Sequence, residues 1–417
     1  MTMPKNFVLG ASRSERPPKP KAINPVEAVV GSWLRALPVG LLESLGFTVA
    51  QLLPNTPKRW VVYPPMLLLP AGSFGPEWAL LGLEDMSPHV ENLWKLLLHN
   101  IGQKEGKGTL THLAVNSGIP LQKTPVHAPG KPPNSEETID AENVLRTPSG
   151  LIMLHGNFGP RLSPDQEPTE RDFQDAFWVS TKQNGIIQIW APRYTMFSRG
   201  NVKEKARLLD FHQPGRAYET RTLSRESLEN AQAIDLYAGI GYFVFSYAKM
   251  GMQKVVGWEL NPWSVEGLRR GAVANGWSVK IVSGGTDVDP RQDQIVVFLE
   301  DNAKAAERIR SSRASLGGLG DIKHVNCGLL PTSEKTWEQT LQMIKGDGWV
   351  HLHENVGLPD VPARRTEIDE RFEAWLRKAH DERVAKVEHV ELVKTFAPGV
   401  WHCVFDVYIR SPWMPGR

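Results

Sequence analysis

The chain has 417 residues, 41% of them hydrophobic and 23% charged, with a formal charge of +2. That is a globular composition with room for two or three cores, and no global charge announces a nucleic-acid binder, although a locally basic face stays open. Two widely separated cysteines, Cys327 and Cys403, exclude a disulfide scaffold and a zinc site, and no apolar run approaches the roughly 18–20 residues of a membrane span.

The first 22 residues are rich in Pro, Lys, Arg and Ser and read as a flexible tail without the hydrophobic block of a secretory signal, so the expected compartment is the cytoplasm. Asn24 and Pro25 then open an amphipathic helix that places Val26, Val29, Val30, Trp33, Leu34 and Leu37 at helical spacing until Pro38. From about 46 to 217 proline and glycine punctuate the chain, with a loop-rich insert near 100–150 that includes "TPVHAPGKPPNSEETID" at 124–140. Within it "FWVSTKQNGIIQIW" predicts a hairpin turning at Asn184 and Gly185, so 23–217 reads as a smaller α+β domain.

The region 218–417 has another texture. "AIDLYA", "KVVGWE", "IVVFLED", "KHVNCGL" and "WVHLHENV" alternate with helical stretches, and "VEHVELVKTF" and "VWHCVFDVYI" follow, joined only by "APG". This predicts an α/β fold: a Rossmann-type, class I methyltransferase-like parallel sheet ending in an antiparallel hairpin. The segment "IVSGGTDVDPRQDQ" at 281–294 reads as a surface loop.

In "DLYAGIGYF" the first strand ends at Asp235, and Gly239 and Gly241 fall in the turn before a helix, where bare backbone N–H groups meet a ligand. Glu259 ends the second strand 20 residues after Gly239, the spacing at which a carboxylate meets ribose hydroxyls. A dinucleotide would call for a third glycine where Tyr242 and Phe243 stand, so S-adenosylmethionine is the expected ligand. Asp301 and Asn302 end the third strand where an adenine edge would lie; capping of the next helix is an equally available role.

"MFSRGNVKEKAR" (196–207), "DLYAGIGYF", "NCGLLPTSEKTW" (326–337), "HLHENV" (351–356) and the ending "TFAPGVWHCVFDVYI" together resemble the tRNA wybutosine-synthesizing protein 2 family, and the ending also resembles the related tRNA guanine-N1 methyltransferases. The likeness covers roughly 150–417, plus "YPPMLLLP" at 63–70. It implies transfer of the 3-amino-3-carboxypropyl group of S-adenosylmethionine to 4-demethylwyosine beside the anticodon of tRNA(Phe), releasing methylthioadenosine. It also implies cofactor contacts at Ser198, Lys205, Glu259, Asp301 and Asn302. The stretch Asn326-Cys327-Gly328-Leu329-Leu330-Pro331 departs from both the (D/N)PPY and NLP patterns of base-methylating enzymes, which favours the carboxypropyl reading.

Without the resemblance, Ser198 and Lys205 fit a plain capped helix, with Asn201 and Glu204 spaced as a capping box. His353, Glu354 and Asn326 are candidates for taking a proton or orienting the base, and a satisfied structural histidine is an equal reading. His351 and His353 lack the further ligands a zinc ion needs, so no metal is expected. Arg193, Arg199 and Lys203 are the cations expected nearest the RNA; Arg269, Arg270, Lys304, Arg308, Arg310 and Arg313 read as solvated surface charges. Alternative readings are a tRNA guanine-N1 methyltransferase and a non-catalytic RNA-binding protein.

Overall fold

The computed structural model describes residues 24–75, 77–78, 87–116, 148, 150–163, 166–213, 221–284, 293–316 and 321–412. The expected tail, the 124–140 insert and most of the 281–294 loop lie outside these residues, as does the Arg313 side chain. The opening helix runs Pro25–Ala36, started by the Asn24 carboxamide, which accepts the N–H groups of Val26 and Glu27 at 2.9 and 3.5 Å. Its buried face of Val26, Val30, Trp33 and Leu34 packs with the helix Ser87–Glu105 on a four-stranded sheet. The strands are β1 (Val61–Tyr63), β2 (Met66–Leu69), β3 (His112–Val115) and β4 (Ile152–His155), in that spatial order.

The predicted hairpin is β5 (Val179–Gln183) and β6 (Ile186–Trp190), with Asn184 and Gly185 at φ 51° and 72° as the turn requires. It pairs with neither larger sheet. Instead β6 lies on the helix Pro262–Ala274, where Asn275 clamps the backbone of Ile187 through both amide atoms at 2.9 and 2.7 Å. Gly267 permits that approach, since a Cβ there would stand 2.7 Å from the Ile189 carbonyl oxygen.

The large sheet comprises β7 (Ala231–Asp235), β8 (Lys254–Glu259), β9 (Val279–Val282), β10 (Ile295–Leu299), β11 (Asp321–Cys327), β12 (Gly348–Gly357), β13 (Val384–Ala397) and β14 (Val400–Arg410). Its order is β13-β14-β12-β11-β7-β8-β10-β9, with β14 antiparallel to both neighbours and the rest of the ladder parallel. The class I methyltransferase-like sheet with its antiparallel C-terminal hairpin is therefore present. One expectation is corrected: Ile281 and Val282 belong to the edge strand β9, not to a loop. Four residues with one fully buried side chain are too short a run to stand out by alternation.

Successive residues of each strand face opposite layers. Ile234, Val325, Val350, Leu352, Phe405 and Val407 point to one layer, built from the helices Ala305–Leu316, Trp337–Met343 and Val361–Lys378. The other layer contains the helices Val202–Leu209, Val244–Met250 and Pro262–Ala274. Onto it turn Asp235, Asn326, His351, His353, Asn355, His402 and Asp406. No helix of the described residues is long and apolar enough to cross a membrane.

Candidate active site

At the carboxyl ends of β7 and β8, Gly239 and Gly241 sit at φ 53° and 89°, the left-handed region that disfavours side chains. The Glu259 carboxylate holds the loop between them: Oε2 accepts the Gly239 N–H and Oε1 the Asn261 N–H, both at 2.8 Å. Burial raises the Glu259 pKa against those backbone bonds. An ionised carboxylate has about four acceptor positions, so with the Leu260 backbone also directed at it there is still room for a hydroxyl. Asn302 donates to the Leu236 carbonyl at 2.7 Å and Asp301 accepts the Ala303 N–H at 2.8 Å, so the end of β10 is tied to the same loop and capped as well.

Tyr242 and Phe243 have separate tasks. The Tyr242 hydroxyl donates to the Met196 carbonyl at 2.7 Å and accepts the Ser198 N–H at 2.9 Å, which fastens the 196–198 segment to the glycine loop. Phe243 packs on His353 with centroids 5.0 Å apart. Behind Ser198 lies Lys205, 2% exposed, donating at 2.7 Å to each of Gln183 Oε1 and Gln188 Oε1 and placed over the Phe197 and Tyr242 rings at 5.3 and 5.6 Å. No carboxylate meets it among the described residues, and burial pushes its pKa down to about 8.

The capping box expected at Asn201 and Glu204 does not form. Asn201 makes no side-chain cap bond and its Oδ1 is buried without a partner, because Glu204 turns instead to Arg207 at 2.6 Å. Arg207 also reaches Asp406 at 2.6 Å, which ties the helix carrying Lys205 to β14. Glu204 and Asp406 are both fully buried, and the Arg207 and His351 contacts hold the Asp406 carboxyl far below the carboxylate range against its burial.

Two hydrogen-bonded files of histidine cross this layer. The Leu223 N–H donates to His212 Nδ1 at 3.2 Å, so the His212 proton is on Nε2 and goes to His324 Nε2 at 2.9 Å. His324 Nδ1 then donates to His351 Nε2 at 2.9 Å, and His351 Nδ1 to Asp406 at 2.6 Å. In the second file Asn326 gives its N–H to Asp235 at 3.1 Å, leaving its oxygen to accept from His353 Nε2 at 3.2 Å. His353 Nδ1 therefore accepts from His402 Nε2 at 2.9 Å, and His402 Nδ1 is left as a buried lone pair without a partner. Burial lowers His212 and His402 to about 4 and raises Asp235 to about 6.

Glu354 faces away from this group and binds Arg364 through both oxygens at 2.7 and 2.8 Å. Among the described residues no group of three or more His, Cys, Asp or Glu is arranged to hold a metal ion.

The chain is 39% identical over 370 residues to tRNA wybutosine-synthesizing protein 2 of Schizosaccharomyces pombe, an alignment covering 88% of this chain and 76% of that protein. The chain belongs to the tRNA wybutosine-synthesizing protein 2 family. The Saccharomyces cerevisiae protein of the same name is 30% identical over 396 residues, covering 86% of this chain and 75% of its own. Among solved structures, Pyrococcus horikoshii TYW2 in complex with MeSAdo shares the fold at a TM-score of 0.51 and 17% identity, over 92% of this chain and 99% of that one. No protein-family model matches the sequence.

In this family member Asp235, Gly239, Gly241, Glu259, Asp301, Asn302, Ser198 and Lys205 all border the glycine loop or are tied to it. The cationic candidates scatter. Arg193 donates to the Phe158 carbonyl at 3.4 Å, Arg199 is exposed, and Lys203 pairs with Glu391 of β13 at 2.6 Å. Arg269 and Arg270 share Glu266, and Arg308 binds Glu300. Sequence reasoning missed His212, His324, His402, Arg207 and Asp406. A lone aspartate inside the apolar run "CVFDVYI" was the available signal, since a buried charge needs a buried partner.

Proposed function

We propose that this chain transfers the 3-amino-3-carboxypropyl group of S-adenosylmethionine to 4-demethylwyosine beside the anticodon of tRNA(Phe), releasing methylthioadenosine, with 218–417 as the catalytic region and 23–217 as the RNA-contacting one. Free, buried Cys327 and Cys403 fit a reducing cytoplasm. The observation that carries the reading is Lys205: an ammonium 2% exposed, facing two neutral amide oxygens and two aromatic rings, beside a loop built for a nucleoside. A carboxylate is the group such a site lacks.

S-adenosylmethionine would supply an electrophilic carbon on its sulfonium. The residues decide which carbon is presented. Glu259 would take a ribose hydroxyl, Asp301 the adenine amine, and the Gly239 and Gly241 backbone would allow close approach, with Asn302 and Asp235 holding the loop in shape. Lys205, with Ser198, would anchor the carboxylate of the four-carbon arm, so the arm is fixed at both ends and its reacting carbon is held toward the acceptor. Asn326, locked between Asp235 and His353, would line the acceptor side, and Arg193, Arg199 and Lys203 would meet phosphates.

The test is product analysis with S-adenosylmethionine and tRNA bearing 4-demethylwyosine. Methylthioadenosine with label from the carboxypropyl arm in the RNA is the expected result. S-adenosylhomocysteine would make the chain a methyltransferase, and RNA binding with neither product would make it a non-catalytic binder.

A further inference from the structure

Between the small sheet and the 196–199 segment lies a cavity of about 690 Å³, and of its lining only Arg199 has been given a role above. Its walls are aromatic. Trp190 and Phe197 stack at 4.5 Å and 17°, and Tyr63 stands edge-on to both at 4.8 and 5.7 Å. Trp60 adds a half-buried ring whose Nε1 is fixed by Glu105 at 3.1 Å. Its rim is cationic. Arg59 comes from the small sheet's side and Arg199 from the catalytic segment, both exposed and both without an ion pair or hydrogen bond among the described residues. Glu105, the one carboxylate in the lining, is already engaged by Trp60.

A half-buried indole beside unpaired guanidinium groups, backed by a buried aromatic cluster, offers what a nucleotide of single-stranded RNA needs: a ring for the base and cations for its phosphates. An apolar ligand would leave Arg59 and Arg199 idle, and a free anion would not use the rings. Phe197 also fixes the cavity's place in the reaction, because the same ring lies under the Lys205 ammonium. The cavity therefore adjoins the donor's amino-acid end without containing it.

We propose that this cavity binds a nucleotide flanking the acceptor in the RNA chain, with the base on Trp60 and its phosphates between Arg59 and Arg199. This rests on the reading that tRNA is the substrate, and it adds a second anchoring point that would hold the acceptor nucleotide splayed toward the site.

The experiment measures binding of tRNA without cofactor across a salt series, for wild type, Trp60→Ala and the double variant Arg59→Ala/Arg199→Ala. These side chains are exposed or half-buried, so the fold should survive, and unchanged melting and S-adenosylmethionine binding would confirm that. Trp60→Ala should weaken RNA binding about ten-fold and the double variant by a similar or larger factor, with the salt slope falling by about two. A photoreactive base placed beside the acceptor should crosslink to the peptide bearing Trp60 or Tyr63. Wild-type affinity and slope in both variants, or crosslinks mapping only elsewhere, would overturn the assignment. If wild type yields methylthioadenosine while these variants bind RNA normally, the cavity fails and the activity stands; if wild type yields S-adenosylhomocysteine, the activity fails and the cavity is still judged by binding.

Discussion

The two faces of the large sheet come from the same strands by alternation, yet they are built on opposite principles. The face toward the helices Ala305–Leu316, Trp337–Met343 and Val361–Lys378 is apolar from Ile234 to Val407. The face toward the Val202–Leu209 and Val244–Met250 helices buries Asp235, Asn326, four histidines and Asp406, each tied to the next by a hydrogen bond or to a neighbouring helix. The first face supplies stability by area removed from water; the second spends some of it to fix the position of the helix carrying Lys205 and of the strand ends beside the glycine loop. Substitutions should therefore differ in kind between the two.

The largest loss should follow Arg207→Met. It leaves Glu204 and Asp406, both fully buried, as uncompensated carboxylates, and breaking such a cluster costs about 3–5 kcal/mol. Chemical unfolding should show that loss together with weaker S-adenosylmethionine binding, because the helix carrying Lys205 loses its tie to β14. On the opposite face Leu352→Ala should cost about 2–4 kcal/mol by cavity formation and leave ligand affinity unchanged in the folded protein. Equal effects on affinity from both variants would erase the distinction.

The apolar face was the more legible in sequence, because runs such as "IVVFL" and "CVFDV" announce strands whatever their other side contains. Its polar partner was read only in part. His353 and Asn326 stood out inside motifs, but His212, His324 and Asp406 lie tens to nearly two hundred residues apart, His402 lies 49 residues from His353, and these groups meet only through strand order. The glycine loop and Glu259 were legible because their chemistry depends on local spacing. Lys205 was named, whereas its partners Gln183 and Gln188 come from a hairpin whose docking on another helix no periodicity announces. The cap expected at Asn201 failed for a related reason: Glu204 turns to Arg207, one turn along the same helix, which the distant Asp406 holds in place.

Acidification should separate the faces next. His212 and His402 are neutral in the folded chain down to about pH 4 but take protons near 6.5 once unfolded, so each contributes stability that falls as pH drops from 6.5 toward 4. Asp235 acts the other way. Its folded pKa of about 6 lies above the ordinary carboxylate value, so its contribution is present at low pH and fades as pH rises through 6. The histidines outnumber it, and the net expectation is a loss on the order of 1–2 kcal/mol per ring by pH 5, partly offset by Asp235. Thermal melts from pH 7 to 5 check this, and His212→Gln should flatten the slope.

A smaller effect is expected at Lys205, and in affinity more than in stability. Lys205→Met removes a buried ammonium that no carboxylate balances, so the fold should hold while S-adenosylmethionine binding weakens about ten-fold or more. In wild type the free ammonium loses its proton near pH 8, so affinity should decline as pH rises through that value, and Lys205→Met should lose that limb. Calorimetric titration at pH 7 and 9 measures both.

The smallest change should come from Asn201→Ala, and it is informative for that reason. Were Asn201 capping the Val202–Leu209 helix, the substitution would cost about 1 kcal/mol. In the structure its oxygen is buried with no donor, so truncation removes an unsatisfied acceptor and a net change within about 0.5 kcal/mol of zero, or a slight gain, is expected. Urea unfolding of the two proteins decides between them. A full 1 kcal/mol loss would mean that the helix start is held locally after all, and that the Arg207 cluster is an addition to the cap, not its replacement.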